Sequence, residues 1–257
     1  MRFLCLPGAY GSADKFQVQL APILKELTDD GTATFYFTHG PCKVEPPEGF
    51  EEFFGEPPYY RFIEPDEEAA KMQDNDVLSR IRDFPRGETA EDTMRELMTV
   101  GVATSHRSTS RAIKYLSEVI ARRGPFDGII GYSEGATVAR TLHIGTFLFF
   151  LLLYPDDYAY AVIMQSRAFP HASVSTVLFF FPNARTRILQ LPASDLLGSL
   201  DPYLDGSMAL YNVCDPDTAY LFDHAKGHTL PRDRETIKEL ADVVREAIGE
   251  MKEEGLL

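Results

Sequence analysis

The chain has 257 residues, 44% of them apolar, which provides for a sizeable core and excludes a disordered protein. Its 39 acidic against 25 basic residues give a net charge of -14, which disfavours nucleic acid and anionic membrane surfaces because both would repel it. Three scattered cysteines, Cys5, Cys42 and Cys214, make neither a disulfide framework nor a metal site.

Phe3-Leu4-Cys5-Leu6 reads as a first strand, since Pro7-Gly8 ends the apolar run too early for a signal peptide. Pro7-Gly8-Ala9-Tyr10-Gly11-Ser12 is the turn that closes it. A helix from Phe16 to Leu27 follows, with Phe16, Leu20, Ile23, Leu24 and Leu27 on one face. Thr32 to Thr38 is β-branched and aromatic, a second strand, so a right-handed parallel crossover is expected. From Gly40 to about Arg86 proline, glycine, aromatics and acids crowd together and periodicity fails. A connection this long is usually a lid or binding loop, and 40–105 is assigned as a lid-like insertion. Its aromatics Phe50, Phe53, Phe54, Tyr59, Tyr60 and Phe62 either line a cleft or pin the loop to the body.

Helical pattern returns at Ala90 to Val102 and at Ser108 to Arg122, and Gly124-Pro125 leads into the apolar run Phe126 to Ile130. Further on, Tyr160 to Met164 and Val174 to Phe181 compete for one strand. Leu191 to Leu197 and Thr218 to Phe222 supply two more. A terminal helix spans Arg234 to Lys252 with Ile237, Leu240, Ala241, Val244 and Ile248 on its apolar face. The longest apolar run, Phe147 to Tyr154, is far short of the roughly 20 residues a membrane helix needs. The alternation of strands and helices predicts one α/β domain over 1–257, doubly wound around a mostly parallel sheet, in a soluble cytoplasmic protein.

Gly131-Tyr132-Ser133-Glu134-Gly135 carries the chemistry. It is a G-x-S-x-G motif between the strand ending at Ile130 and the helical residues Ala136 to Leu142, the setting of a nucleophile elbow. A serine hydroxyl needs a neighbouring base, and that base needs an orienting acid. In α/β-hydrolases the chain order is serine, acid, histidine, each past a strand. Ser133, Asp201 and His228 occur in that order. Asp201 ends the glycine turn Gly198-Ser199-Leu200-Asp201-Pro202, whereas Asp195, Asp205 and Asp215 close no strand so well. His228 follows Gly227 in a loop after the last strand, with His224 as its competitor; His39, His106, His143 and His171 read as surface or packing residues. The oxyanion of a tetrahedral intermediate requires two N–H donors. One is expected from the backbone of Glu134, the other from Ala9 or Tyr10 after the first strand. The Glu134 carboxylate reads as solvated or paired, not catalytic. No metal-ligand spacing, P-loop or G-x-G-x-x-G is present, so no cofactor and no metal are indicated.

With these residues in view, the chain resembles the fungal serine hydrolase family abbreviated FSH, particularly esterases and thioesterases encoded beside polyketide synthases. The matching segments are Phe3 to Gly8, Gly40-Pro41, Tyr59-Tyr60-Arg61-Phe62, Gly124 to Ala136, Gly198 to Tyr203 and Gly227 to Pro231. The resemblance implies an α/β-hydrolase fold, a Ser/Asp/His triad and action on small esters or carrier-bound thioesters. Two departures stand out. Many relatives have histidine where Pro7 stands, and Leu142 to Leu191 lacks the family's aromatic-glycine-tryptophan-proline turn in a chain with no tryptophan. That segment is either a remodelled wall of the site or a retained intron.

The expected function is therefore cleavage of an ester or acyl-carrier-protein thioester of a small hydrophobic, polyketide-like acid, in fungal secondary-metabolite or toxin biosynthesis. Two alternatives stay open: an acyltransferase using the same acyl-enzyme, and a catalytically inactive hydrolase-fold binding protein.

Overall fold

A computed structural model describes residues 1–46, 54–63, 105–136, 138–139, 177–180, 188–190, 220–221 and 230–253. Among the described residues eight strands are formed: β1 (Arg2–Leu6), β2 (Thr34–Phe37), β3 (Cys42–Val44), β4 (Tyr59–Arg61), β5 (Gly128–Tyr132), β6 (Val177–Phe180), β7 (Ile188–Gln190) and β8 (Tyr220–Leu221). Six of them make one sheet in the order β2-β1-β5-β6-β7-β8. β1 pairs parallel to both β2 and β5, and β7 parallel to β8, while β6 runs antiparallel to both neighbours. The sheet is thus mostly parallel with one reversed strand.

β1 shows why the sheet needs cover on both faces. Its residues alternate in direction, so Phe3 and Cys5 enter one core while Leu4 and Leu6 enter the other. The register Leu4↔Ile129 and Cys5↔Ile130 puts Ile129 with the second set and Ile130 with the first. Helix α1 (Ala13–Asp29) covers the first face through Phe16, Leu20, Ile23 and Leu27, spaced to form one stripe. The terminal helix α3 (Arg234–Glu253) joins it there through Ile237, Leu240, Ala241, Val244, Ala247 and Ile248. Helix α2 (Ser105–Arg123) covers the other face through Ala112, Leu116 and Val119, beside the helix that begins at Glu134. Each such buried Leu, Ile or Phe is worth roughly 1.5–3 kcal/mol against exposure.

Local signals set the element ends. Ser12 caps α1 by accepting from the Lys15 N–H at 3.2 Å. Asp127 locks the start of β5 to β1: its Oδ2 accepts from Arg2 N–H and its own N–H donates to Arg2 O, both at 2.8 Å.

The region between β2 and α2 contains the element the sequence did not suggest. β3 and β4 pair as a separate antiparallel ribbon, with Cys42 opposite Arg61 and Val44 opposite Tyr59. Its described aromatics pin it to the body. Tyr59 and Phe62 are buried, Phe54 packs on Tyr10 with ring centroids 4.6 Å apart, and Tyr60 stacks on His39 at 3.8 Å. Phe50, Phe53 and the expected helix at 90–102 lie outside the described residues.

The atypical segment 142–191 supplies both β6 and β7, which continue the sheet from β5. β7 spans Ile188–Gln190, whereas the strand expected at Leu191 to Leu197 and the competing candidate Tyr160 to Met164 lie outside the described residues. No helix among the described residues is long and apolar enough to cross a membrane.

Candidate active site

β5 ends at Tyr132, the chain reverses at Ser133, and a helix begins at Glu134. Ser133 makes this turn with φ of 51°, a left-handed conformation that costs a non-glycine residue about 1–3 kcal/mol and persists only where the surroundings enforce it. The flanking glycines show the enforcement. A β-carbon on Gly131 would lie 2.6 Å from Ala136 Cα and 2.7 Å from Ala136 N, and one on Gly135 would lie 2.3 Å from Leu6 O and 2.5 Å from Pro7 O. The first turn of the helix therefore folds directly onto the ends of β5 and β1. Ala136 N–H closes the turn on Ser133 O at 3.0 Å.

β1 is the neighbour of β5, so the turn after it arrives beside the serine. A β-carbon on Gly8 would lie only 3.1 Å from Ser133 Cβ. That turn, Gly8-Ala9-Tyr10-Gly11, is closed by Gly11 N–H on Gly8 O at 3.1 Å, a bond that leaves out the N–H groups of Ala9 and Tyr10. Tyr10 has φ of 62° and, with Ser133, is one of two non-glycine residues at positive φ among the described residues. The N–H of Glu134 belongs to the first turn of its helix, where backbone donors have no intrahelical acceptor and the dipole favours negative charge. The elbow and the β1 turn thus stand side by side around Ser133, which is half-buried.

The carboxylate of Glu134 is paired, not solvated. Its side chain is 8% exposed; Oε1 accepts from Arg61 Nε at 3.0 Å and Nη2 at 2.8 Å, and Oε2 accepts from the Phe62 N–H at 2.8 Å. Arg61 also sits over the Tyr10 ring, with Cζ 5.5 Å from the centroid. Burial pulls the Arg61 guanidinium down, but Glu134 and Tyr10 more than offset it and leave it raised above its ordinary value. Lys15 holds the same ribbon to α1, donating to Phe54 O at 3.0 Å beneath the Tyr59 ring. Burial lowers its ammonium and Glu56 opposes that shift.

Two of the six site residues named from the sequence, Asp201 and His228, lie outside the described residues, as do His224, Asp195, Asp205 and Asp215. The other four, Ser133, Glu134, Ala9 and Tyr10, occupy the two adjoining turns. His39 packs against Tyr60, in keeping with a packing role, and its ring is held below the ordinary histidine value by burial, with Asp14 opposing. Arg61 is the residue sequence reasoning passed over. The available signal was an acid placed directly after the elbow serine, where burial demands a cation. Among the described residues no group of His, Cys, Asp or Glu is arranged to hold a metal ion.

The family model "Serine hydrolase (FSH1)" matches residues 1–240. The chain is 24% identical over 259 residues to "Esterase FPY3" of Fusarium mangiferae, covering 96% of this chain and 97% of that one. It is 26% identical over 251 residues to "Esterase FUS5" of Gibberella moniliformis, covering 95% of this chain and 85% of that one. Against "Hydrolase phiM" of Talaromyces stipitatus identity is 24% over 251 residues, with 91% and 82% covered. The α/β-hydrolase architecture, the strained serine at a strand-to-helix turn and the match along nearly the whole length agree, and the chain belongs to the FSH1 serine hydrolase family.

Proposed function

We propose that this chain is a cytoplasmic serine esterase acting through an acyl-enzyme, on an ester or a carrier-bound thioester of a small hydrophobic, polyketide-like acid in fungal secondary metabolism. The observation that carries the reading is Ser133 at φ of 51° between Gly131 and Gly135, directly beside the β1 turn. The two relatives named esterases support hydrolysis of an ester. The thioester and polyketide parts rest on the family resemblance.

In this mechanism Ser133 Oγ attacks the acyl carbonyl while His228 takes its proton, and Asp201 holds the imidazole in orientation. The oxyanion is held by the N–H of Glu134 and that of Ala9 or Tyr10. Collapse breaks the bond to the leaving alcohol or thiol, which receives the proton from His228. Water then attacks the acyl-serine, giving its proton to His228, and the acid leaves as Ser133 recovers its hydrogen. The reading takes 1–257 as a single domain that carries the site, with 40–105 as a lid-like insertion.

A fluorophosphonate probe tests the nucleophile: the wild type is labelled and Ser133→Ala is not. A folded wild type that stays unlabelled, or labelling that survives Ser133→Ala, overturns the assignment. Comparing p-nitrophenyl esters with acyl N-acetylcysteamine thioesters, with and without an added alcohol, then separates esterase, thioesterase and transferase activity.

A further inference from the structure

We propose that Arg61 is a positioning residue of this site, coupling the turn that carries Tyr10 to the elbow that carries Ser133 and Glu134. The proposal rests on the reading of Ser133 as nucleophile given above. Its basis is that one side chain touches both strained turns. Arg61 donates twice to Glu134 Oε1, at 3.0 and 2.8 Å, and lies 5.5 Å from the centre of the Tyr10 ring. Tyr10 and Ser133 are the two non-glycine residues held at positive φ among the described residues, one in each turn. Such conformations need outside enforcement, and a guanidinium fork gives direction as well as charge.

Arg61 is itself fixed from three sides. It pairs with Cys42 across the ribbon, the adjacent Tyr60 bridges to Gly11, and Gly40 approaches so closely that a β-carbon there would lie 2.1 Å from the Arg61 carbonyl carbon and oxygen. The adjoining Phe62 N–H takes the other carboxylate oxygen at 2.8 Å. The ribbon thereby acts as a strut, and Arg61 transmits its position to the residues whose N–H groups would meet the oxyanion. A strut of this kind affects turnover more than binding, because the oxyanion forms only in the transition state.

The test uses the full chain and hydrolysis of p-nitrophenyl butyrate. Arg61→Met/Glu134→Gln removes both charges, so no buried ion is stranded. We expect it to fold, with kcat lowered about tenfold or more and KM within about twofold, since small misplacements of catalytic groups carry costs of that order. Arg61→Lys keeps the charge but not the fork and should show the same pattern to a smaller degree. If the double variant fails to fold, the lysine variant decides. A kcat within about twofold of wild type in the folded variant, or a loss confined to KM, overturns the proposal. Fluorophosphonate labelling keeps the two readings apart. An unlabelled wild type defeats the nucleophile, whereas a labelled, active wild type with unimpaired Arg61 variants defeats only the strut.

Discussion

Gly135 rests so closely on Leu6 that a β-carbon would lie 2.3 Å from the Leu6 carbonyl oxygen. The obstacle is backbone on a central strand, so no side chain can swing away. Gly135→Ala is therefore expected to exceed the usual overpacking cost of roughly 1–3 kcal/mol or to push the helix off β1. Gly8 is different in kind: its nearest neighbours are Ser133 Cβ at 3.1 Å and the Tyr132 ring at 3.2 Å. Gly8→Ala should fold nearly as well as wild type and lose turnover by displacing Ser133. Thermal melting with ester hydrolysis separates the cases; equal destabilisation by the two would contradict this account.

The Arg61–Glu134 pair makes a second prediction, about stability. Truncating either partner strands a charge that is largely buried, so Arg61→Ala or Glu134→Ala alone should cost about 3–5 kcal/mol. Removing both charges should cost less than the two single losses added together. Urea unfolding of the singles and the double forms a double-mutant cycle. Simple additivity would show that the two side chains do not interact energetically.

How much of this was legible in the sequence depends on the range of the interaction involved. α1, α2 and α3 were readable because each is encoded by local periodicity, β5 because its apolar run leads straight into the elbow, and the elbow because its glycines lie within two residues of Ser133. β3 and β4 are three residues each, set among prolines and glycines, and exist only through pairing with one another. The reversal of β6 was equally hidden, since an apolar run such as Val177 to Phe180 carries no sign of its direction. The role of Arg61 depends on a contact 73 residues away in sequence, which leaves no periodic trace.

Asp30 makes a prediction in acid. Hydrogen bonds from Thr32, the larger cause, and the Arg245 guanidinium hold its carboxyl at about 2. The native state binds the proton less readily than the unfolded chain, whose aspartate titrates near ~3.9. Its contribution is thus fully present above that value and is lost as pH falls toward 2. Arg245 also donates to Glu26 O at 3.1 Å, so the cluster ties α3 to the end of α1. Asp30→Asn should lose less stability than wild type on acidification between pH 4 and 2. Urea midpoints measured across that interval should converge; parallel pH profiles would remove Asp30 from acid unfolding.

His39 sets the sign in a higher window. Burial among the ribbon residues lowers its value, and the Asp14 carboxylate opposes this only in part. The folded state therefore favours the neutral ring, and the unfolded chain, titrating near ~6.5, takes up the proton first. Stability from this group is complete above about 6.5 and falls as the pH drops below it. The ring stacks on Tyr60, whose neighbour Arg61 grips Glu134, so charging His39 loosens the ribbon where it meets the elbow. His39→Gln should flatten the decline between pH 6.5 and 5 while lowering stability by a constant amount through loss of the stack. Melting temperatures across that range test this directly: a slope unchanged from wild type would mean that another group carries the pH dependence.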